Sequence, residues 1–83
     1  MSWTVYILKC ANGALYTGIT NDLPRRFAQH KCGLGAKYTR ANPPKKIVYS
    51  EVRRTKSSAL KREAAIKRWP RSRKLELIKG VIK

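Results

Sequence analysis

Acidic residues are scarce in this chain: Asp and Glu number 4 against 20 Lys and Arg in 83 residues, for a formal charge of +16. The four acids, Asp22, Glu51, Glu63 and Glu76, are dispersed along the sequence, which argues against the carboxylate cluster that two-metal phosphoryl chemistry needs. Histidine is represented by His30 alone and cysteine by Cys10 and Cys32, too few for a structural zinc quartet or a disulfide scaffold. Two reduced cysteines in a reducing compartment are the expectation. No basic start followed by an apolar run marks a secretory leader, and no stretch approaches the roughly 20 apolar residues of a membrane span. The expectation is therefore a soluble, cytoplasmic protein with no membrane partner.

What is present is positive charge. Solubility needs far less than +16, and self-repulsion of that size lowers stability unless a partner or counterions offset it. Residues 1–40 carry six basic and one acidic side chain, residues 41–83 fourteen and three, so the C-terminal half is the stronger electrostatic platform. The partner is expected to be a polyanion, nucleic acid before anionic lipid; charge alone does not separate DNA from RNA. The length suits one domain, residues 1–83, with a modest net stability on the order of 5 kcal/mol.

Hydrophobic and turn patterning sets the order of elements. Trp3 to Cys10 reads as a strand, Asn12-Gly13 as a turn, and Leu15 to Thr20 as a second, antiparallel strand. Two registers are open. A two-residue loop sets Lys9 opposite Tyr16 and sends Tyr6 and Tyr16 to opposite faces. A three-residue loop, with Gly13 at positive φ beside a bulge, brings Cys10 to face Tyr16 and both tyrosines to one face. Asn21 or Asp22 caps a helix that tolerates Pro24 in its first turn and runs through Phe27 to about Lys31. Gly33 and Gly35 end it and open a basic loop, Lys37-Tyr38-Thr39-Arg40. After Pro43-Pro44, Lys46 to Glu51 reads as a third strand with Ile47 and Tyr49 on one side and Val48 on the other. Thr55, Ser57 or Ser58 caps a helix to about Trp69, with Leu60, Ala64 and Ile66 as its core stripe. A last helix near Ser72 to Lys79 packs Leu75 and Ile78 before Gly80. The fold class is α/β (α+β sandwich-like), a small three-stranded antiparallel or mixed sheet flanked by helices.

Few residues here can carry phosphodiester chemistry, which needs an activated water and compensation of charge on the phosphoryl oxygens. Arg26 and His30, four apart, share a helical face; Arg26 has the planar donor fork that clamps phosphate, and His30 can move a proton. Glu63 stands mid-helix in a very basic segment. It can pair with Lys67 at i,i+4, for roughly 0.3 kcal/mol, or hold one cation with water and substrate oxygens completing the shell. Tyr6 and Tyr16 become chemically interesting only if both converge on Arg26 and His30. Gly18 permits either close packing or close approach of a phosphate. Lys37, Tyr38 and Arg40 suit a nucleic-acid backbone, with Tyr38 able to stack on a base, and Arg62 and Lys67 extend the basic surface. Trp3 and Trp69 read as packing residues.

Thr4-Val5-Tyr6, Tyr16-Thr17-Gly18, the Leu23–His30 stretch, Gly35–Arg40 and Ala59–Lys67 together resemble the GIY-YIG nuclease family, in particular its small stand-alone bacterial members, over about residues 3–80. Thr4 stands where the first signature has glycine and Thr17 where the second has isoleucine or valine. The resemblance implies a divalent-metal-dependent endonuclease acting on DNA. In that reading Tyr6 and Tyr16 activate the nucleophile or contact phosphate, Arg26 stabilises phosphate, His30 serves as general acid/base or positioning group, and Glu63 ligates Mg²⁺ or Mn²⁺. It also favours the register with both tyrosines on one face. The family's usual separate DNA-recognition domain is not seen, so selection is expected by DNA shape, a damaged structure or a protein partner. A non-catalytic DNA- or RNA-binding module on the same scaffold is the alternative. If the chemical reading holds, Tyr6, Tyr16, Arg26, His30 and Glu63 should line one solvent-open concavity.

Overall fold

The computed structural model describes residues 2–82. Strands β1 (Trp3–Cys10) and β2 (Leu15–Thr20) are followed by helices α1 (Leu23–Lys31) and α2 (Lys37–Ala41), strand β3 (Pro44–Arg53), and helices α3 (Lys56–Arg68) and α4 (Arg71–Ile78). The sheet is antiparallel throughout, in the order β2-β1-β3. None of these helices is long and apolar enough to cross a membrane.

The β1–β2 hairpin takes the three-residue loop. Cys10 N–H donates to the Ala14 carbonyl and Gly13 N–H to the Cys10 carbonyl, each at 2.9 Å, while Gly13 sits at φ +84°. Such a left-handed residue costs glycine nothing and most others a steric clash. Tyr16 therefore pairs with Leu8 rather than with Cys10, whose partner across the loop is Ala14. The shift is by two residues, so parity survives, and Tyr6 and Tyr16 do share a face.

Alternation along β1 divides the interior in two. Val5 and Ile7 point to one side, where Ala59 and Ile66 of α3 and Leu77 of α4 close an apolar core edged by Trp3, Leu15, Ile19, Val48, Tyr49, Trp69 and Ile78. Tyr6 points to the other side, where His30 of α1 lies against it. The α1 cap is Asp22, whose carboxylate accepts from Arg25 N–H at 3.2 Å, and the α3 cap is Thr55, accepting from Ser58 N–H at 3.1 Å. These bonds satisfy donors that a helix start otherwise leaves orphaned.

Four expectations are corrected. The segment expected to be a basic loop contains the short helix α2, whose N-cap position, Ala36, supplies no side-chain cap. In β3, Ile7 pairs with Tyr49 but Leu8 with Ile47, so Val48 is the extra residue of a bulge. Ile47 and Tyr49 consequently lie on opposite faces, and Val48 joins Tyr49 at the core. In α3 the inward stripe is Ala59, Glu63 and Ile66, while Leu60 is 45% exposed and Ala64 is exposed. In α4, Leu77 is the core residue, with Leu75 and Ile78 only partly buried.

Candidate active site on the α1 face

Tyr6 reaches across the edge strand. Its cross-strand neighbour is Gly18, and a Cβ built there would stand 2.5 Å from the phenol oxygen. The missing side chain is thus the space in which the Tyr6 ring lies. His30, in the last turn of α1, meets the Tyr6 hydroxyl with Nε2 at 3.0 Å, and its ring stands edge-on to both Tyr6 and Tyr16, with centroids 6.0 and 5.2 Å away. Gly35 closes the other side: any Cβ there would collide with the imidazole at Nδ1. Thr39 of α2 then meets Nδ1 with its hydroxyl at 2.6 Å and donates to the Ala36 carbonyl at 3.0 Å.

Tyr16 continues the cluster outward, stacked on Tyr38 at 6.3 Å with rings 10° apart, and Asn12 Nδ2 donates to the Tyr38 hydroxyl at 3.2 Å. Tyr38, 41% exposed, is therefore shared between Tyr16 and solvent. Arg26, half-buried on the His30 face of α1, donates to Gln29 Oε1 at 3.2 Å.

Electrostatics tie the group together. Burial raises the Tyr6 phenol above its ordinary value of 10.0; the Arg26 guanidinium opposes this, while Tyr16 and Glu63 add to it. Burial lowers the His30 imidazole below 6.5, and Arg26 lowers it further. At neutral pH the pair is accordingly a phenol and an uncharged imidazole. Glu63 approaches from α3, which packs on β2 from the apolar side, and its charge is felt at Tyr6.

The solvent-open concavity does not form as expected, because Tyr6 is 1% exposed and His30 0%. α2 folds over them, and Gly35 lets the backbone come against the ring. Tyr16, Arg26 and Glu63 remain partly exposed around this sealed pair. A cavity of about 190 Å³ lies instead on the opposite face, lined by Lys9, Leu15, Lys46, Val48, Arg71, Leu75 and Ile78.

Glu63 pairs with Lys67 through Oε2 at 3.5 Å, the local reading of its place in sequence. Among the described residues no three His, Cys, Asp or Glu side chains gather as a metal centre. The donor set at Glu63 is one carboxylate. It fits a hard cation of the Mg²⁺ kind, which keeps several waters and shares substrate phosphate oxygens. Lys37, Tyr38, Arg40 and Lys67 are exposed; Arg62 is not presented in the same way. Its Nε donates to Glu51 at 3.0 Å and its guanidinium covers the Trp69 ring at 5.2 Å. Thr39, Gly35 and Asn12 are the site residues that sequence reasoning missed. The available signal was that a buried His30 needs a partner for each ring nitrogen.

The sheet order, the paired tyrosines and the arginine and histidine of α1 define a small α/β domain of the GIY-YIG type. The GIY-YIG catalytic domain matches residues 2–76, and the chain belongs to that family. It is 53% identical over 73 residues to a UPF0213 protein of Xanthomonas axonopodis pv. citri, covering 88% of this chain and 72% of that one. A UPF0213 protein of Staphylococcus aureus is 52% identical over 75 residues, 90% of this chain and 92% of its own. Among solved structures, the UPF0213 protein BH0048 of Bacillus halodurans superposes with TM-score 0.61 at 39% identity, covering 95% of this chain and 84% of that one. The E. faecalis protein EF2693 gives 0.67 at 37% identity, covering 98% and 86%.

Proposed function

We propose that this chain binds nucleic acid, DNA foremost, over its α1–α2 face and hydrolyses phosphodiester bonds there with Mg²⁺ or Mn²⁺. The observation that carries the reading is the Tyr6–His30 pair, a buried phenol whose hydroxyl lies 3.0 Å from the imidazole Nε2. A phenol whose pKa is raised is a poor base by itself. Bonded to His30, it can take a proton from an attacking water on its oxygen while its own proton passes to Nε2. Arg26, beside the same phenol, compensates charge on the phosphoryl oxygens as the new P–O bond forms. Glu63 would hold the cation, which supplies further charge compensation on the phosphate. Lys37, Tyr38, Arg40 and Lys67 supply exposed contacts for the backbone, with Arg62 contributing from behind its Glu51 pair. With a charge of +16, binding should weaken steeply with salt. Targeting would come from nucleic-acid shape or a protein partner.

Two observations favour the second reading, a non-catalytic DNA- or RNA-binding module: the sealed Tyr6–His30 pair and the lone carboxylate at Glu63. One experiment separates them. Purified protein and its Glu63→Ala variant are incubated with branched, nicked, flapped, single-stranded and supercoiled DNA, and with RNA, under Mg²⁺ and Mn²⁺. Metal-dependent cleavage lost in Glu63→Ala supports the nuclease. Salt-sensitive binding without any product establishes the module, and cleavage that survives Glu63→Ala removes Glu63 from the chemistry.

A further inference from the structure

A buried imidazole flanked by two hydroxyls can be wired in either direction, and the wiring decides what Tyr6 is able to do. If Nδ1 carries the proton, Nε2 is an acceptor and Tyr6 donates. If Nε2 carries it, the Tyr6 hydroxyl becomes the acceptor and must send its own proton elsewhere.

We propose that Thr39 is a positioning residue that holds His30 in the Nδ1–H tautomer and thereby makes Tyr6 the donor of the pair. Both ends of the chain favour this direction. At one end, the Thr39 hydroxyl has a single proton and donates it to the Ala36 carbonyl, leaving its oxygen to accept from Nδ1–H at 2.6 Å. At the other end, the Tyr6 hydroxyl has His30 Nε2 as its hydrogen-bond partner, and the residue is 1% exposed. In the reverse wiring its proton would be buried without an acceptor, at a cost comparable to a lost hydrogen bond. Arg26 adds to the argument, because a guanidinium only donates and so favours a phenol oxygen whose lone pairs face it.

Local structure makes Thr39 the residue able to do this. It is 0% exposed on a helix whose neighbours Lys37, Tyr38 and Arg40 all face solvent. Its bond back to the Ala36 carbonyl fixes the hydroxyl rotor, and Gly35 lets that turn approach the ring edge. Proton transfer from Tyr6 to Nε2 would leave an imidazolium whose Nδ1–H is still accepted by Thr39.

The tautomer is independent of catalysis, whereas its effect on rate rests on the nuclease reading above. Long-range ¹H–¹⁵N NMR on the labelled full chain, at a pH above 6.5 where the ring is neutral, reads the tautomer directly. The wild type should be protonated at Nδ1. Thr39→Val should move the ring toward the Nε2–H form, and Thr39→Ser should restore Nδ1–H. Tyr6→Phe should leave Nδ1–H in place, since the Thr39 oxygen still accepts from it; this variant decides the matter if Thr39→Val does not fold. A wild-type ring protonated at Nε2, or a folded Thr39→Val with the wild-type tautomer, overturns the proposal. On DNA, Thr39→Val should lower kcat on the order of 10–100-fold, the scale known for the outer partners of metal-bound histidines, with Kd for DNA unchanged and Thr39→Ser rescuing. A moved tautomer with undiminished kcat overturns the positioning role. A wild type that cuts nothing overturns the nuclease reading instead, and the NMR result then stands or falls by itself.

Discussion

The two sides of β1 are equally dry and chemically opposite. Val5 and Ile7 are sealed by Ala59, Ile66 and Leu77, while Tyr6, one step along the strand, is sealed by His30, itself closed in by Thr39. On the first side, area removed from water stabilises the fold, with no direction imposed on the contacts. On the second, every polar atom needs a particular partner at a particular angle, and net stability per bond is only about 1 kcal/mol. A small protein that gives part of its interior to the second kind of packing gains little stability from it. What it gains is a hydrogen-bonded run of Tyr6, His30 and Thr39 beside Arg26, on which the chemistry proposed for the α1 side rests.

The largest effects should separate the two sides cleanly. Ile7→Ala removes a fully buried side chain from the apolar core and should cost about 2–5 kcal/mol, enough to unfold much of a domain this size. Urea denaturation would show it as a lower midpoint. Tyr6→Phe keeps the ring over Gly18 and deletes only the hydroxyl, so the fold should survive with a loss of roughly 1–3 kcal/mol from the unpaired Nε2. Cleavage by that variant should fall about 10²–10⁴-fold, the usual worth of a general acid–base group, with DNA affinity retained. If Tyr6→Phe unfolds the chain as thoroughly as Ile7→Ala, the α1 side is only a second core.

The apolar side was the less legible in sequence, for reasons its residues supply. The ends of α1 and α3 were readable because Asp22 and Thr55 cap through bonds three residues long. The phase of α3 was not, because Glu63 lies between Ala59 and Ile66 on the inward stripe and disguises it, while Leu60 faces solvent. Val48 broke the alternation of β3 through a bulge that has no Gly or Pro to announce it. α2 reads as a loop since no side chain caps it. On the site side, the shared face of Tyr6 and Tyr16 followed once Gly13 selected the three-residue loop. Thr39 and Gly35 acquire their meaning only from His30, an element away, and a local reading has no access to that.

One residue breaks the division. Thr17 points to the apolar side opposite Ile7, is buried, and its hydroxyl has no hydrogen-bond partner among the described residues. A polar atom left in that position costs about 1–3 kcal/mol, and valine has nearly the same shape without it. Thr17→Val should therefore raise stability by about 1 kcal/mol, seen as a higher urea midpoint with an unchanged slope. A loss of stability instead would mean that the Thr17 hydroxyl is satisfied by bound water and that the apolar side is wetter than it looks.

The smallest effect is a stability profile in which the two sides lose their support at different pH. His30, on the α1 side, is lowered below 6.5 by burial and then by Arg26. Glu51, on the α3 side, is pushed up by burial, but hydrogen bonds from Tyr49, Arg62 and Arg53 outweigh this and leave it below 4.5. In both cases the folded value lies under the unfolded one, so between the two the unfolded chain holds more protons and stability falls as pH falls. The His30 contribution is complete above pH 6.5 and fades below it; the Glu51 contribution is complete above 4.5 and fades only below that. Tyr6, bonded to His30, is raised above 10.0 and keeps its proton throughout the scan. Chemical denaturation at a series of pH values should then show a first decline setting in below 6.5 and a second joining it below 4.5. His30→Gln should abolish the first decline and leave the second. If the first decline persists in His30→Gln, the imidazole is not the buried neutral acceptor that the Tyr6 bond requires, and the contrast between the two sides of β1 loses its electrostatic half.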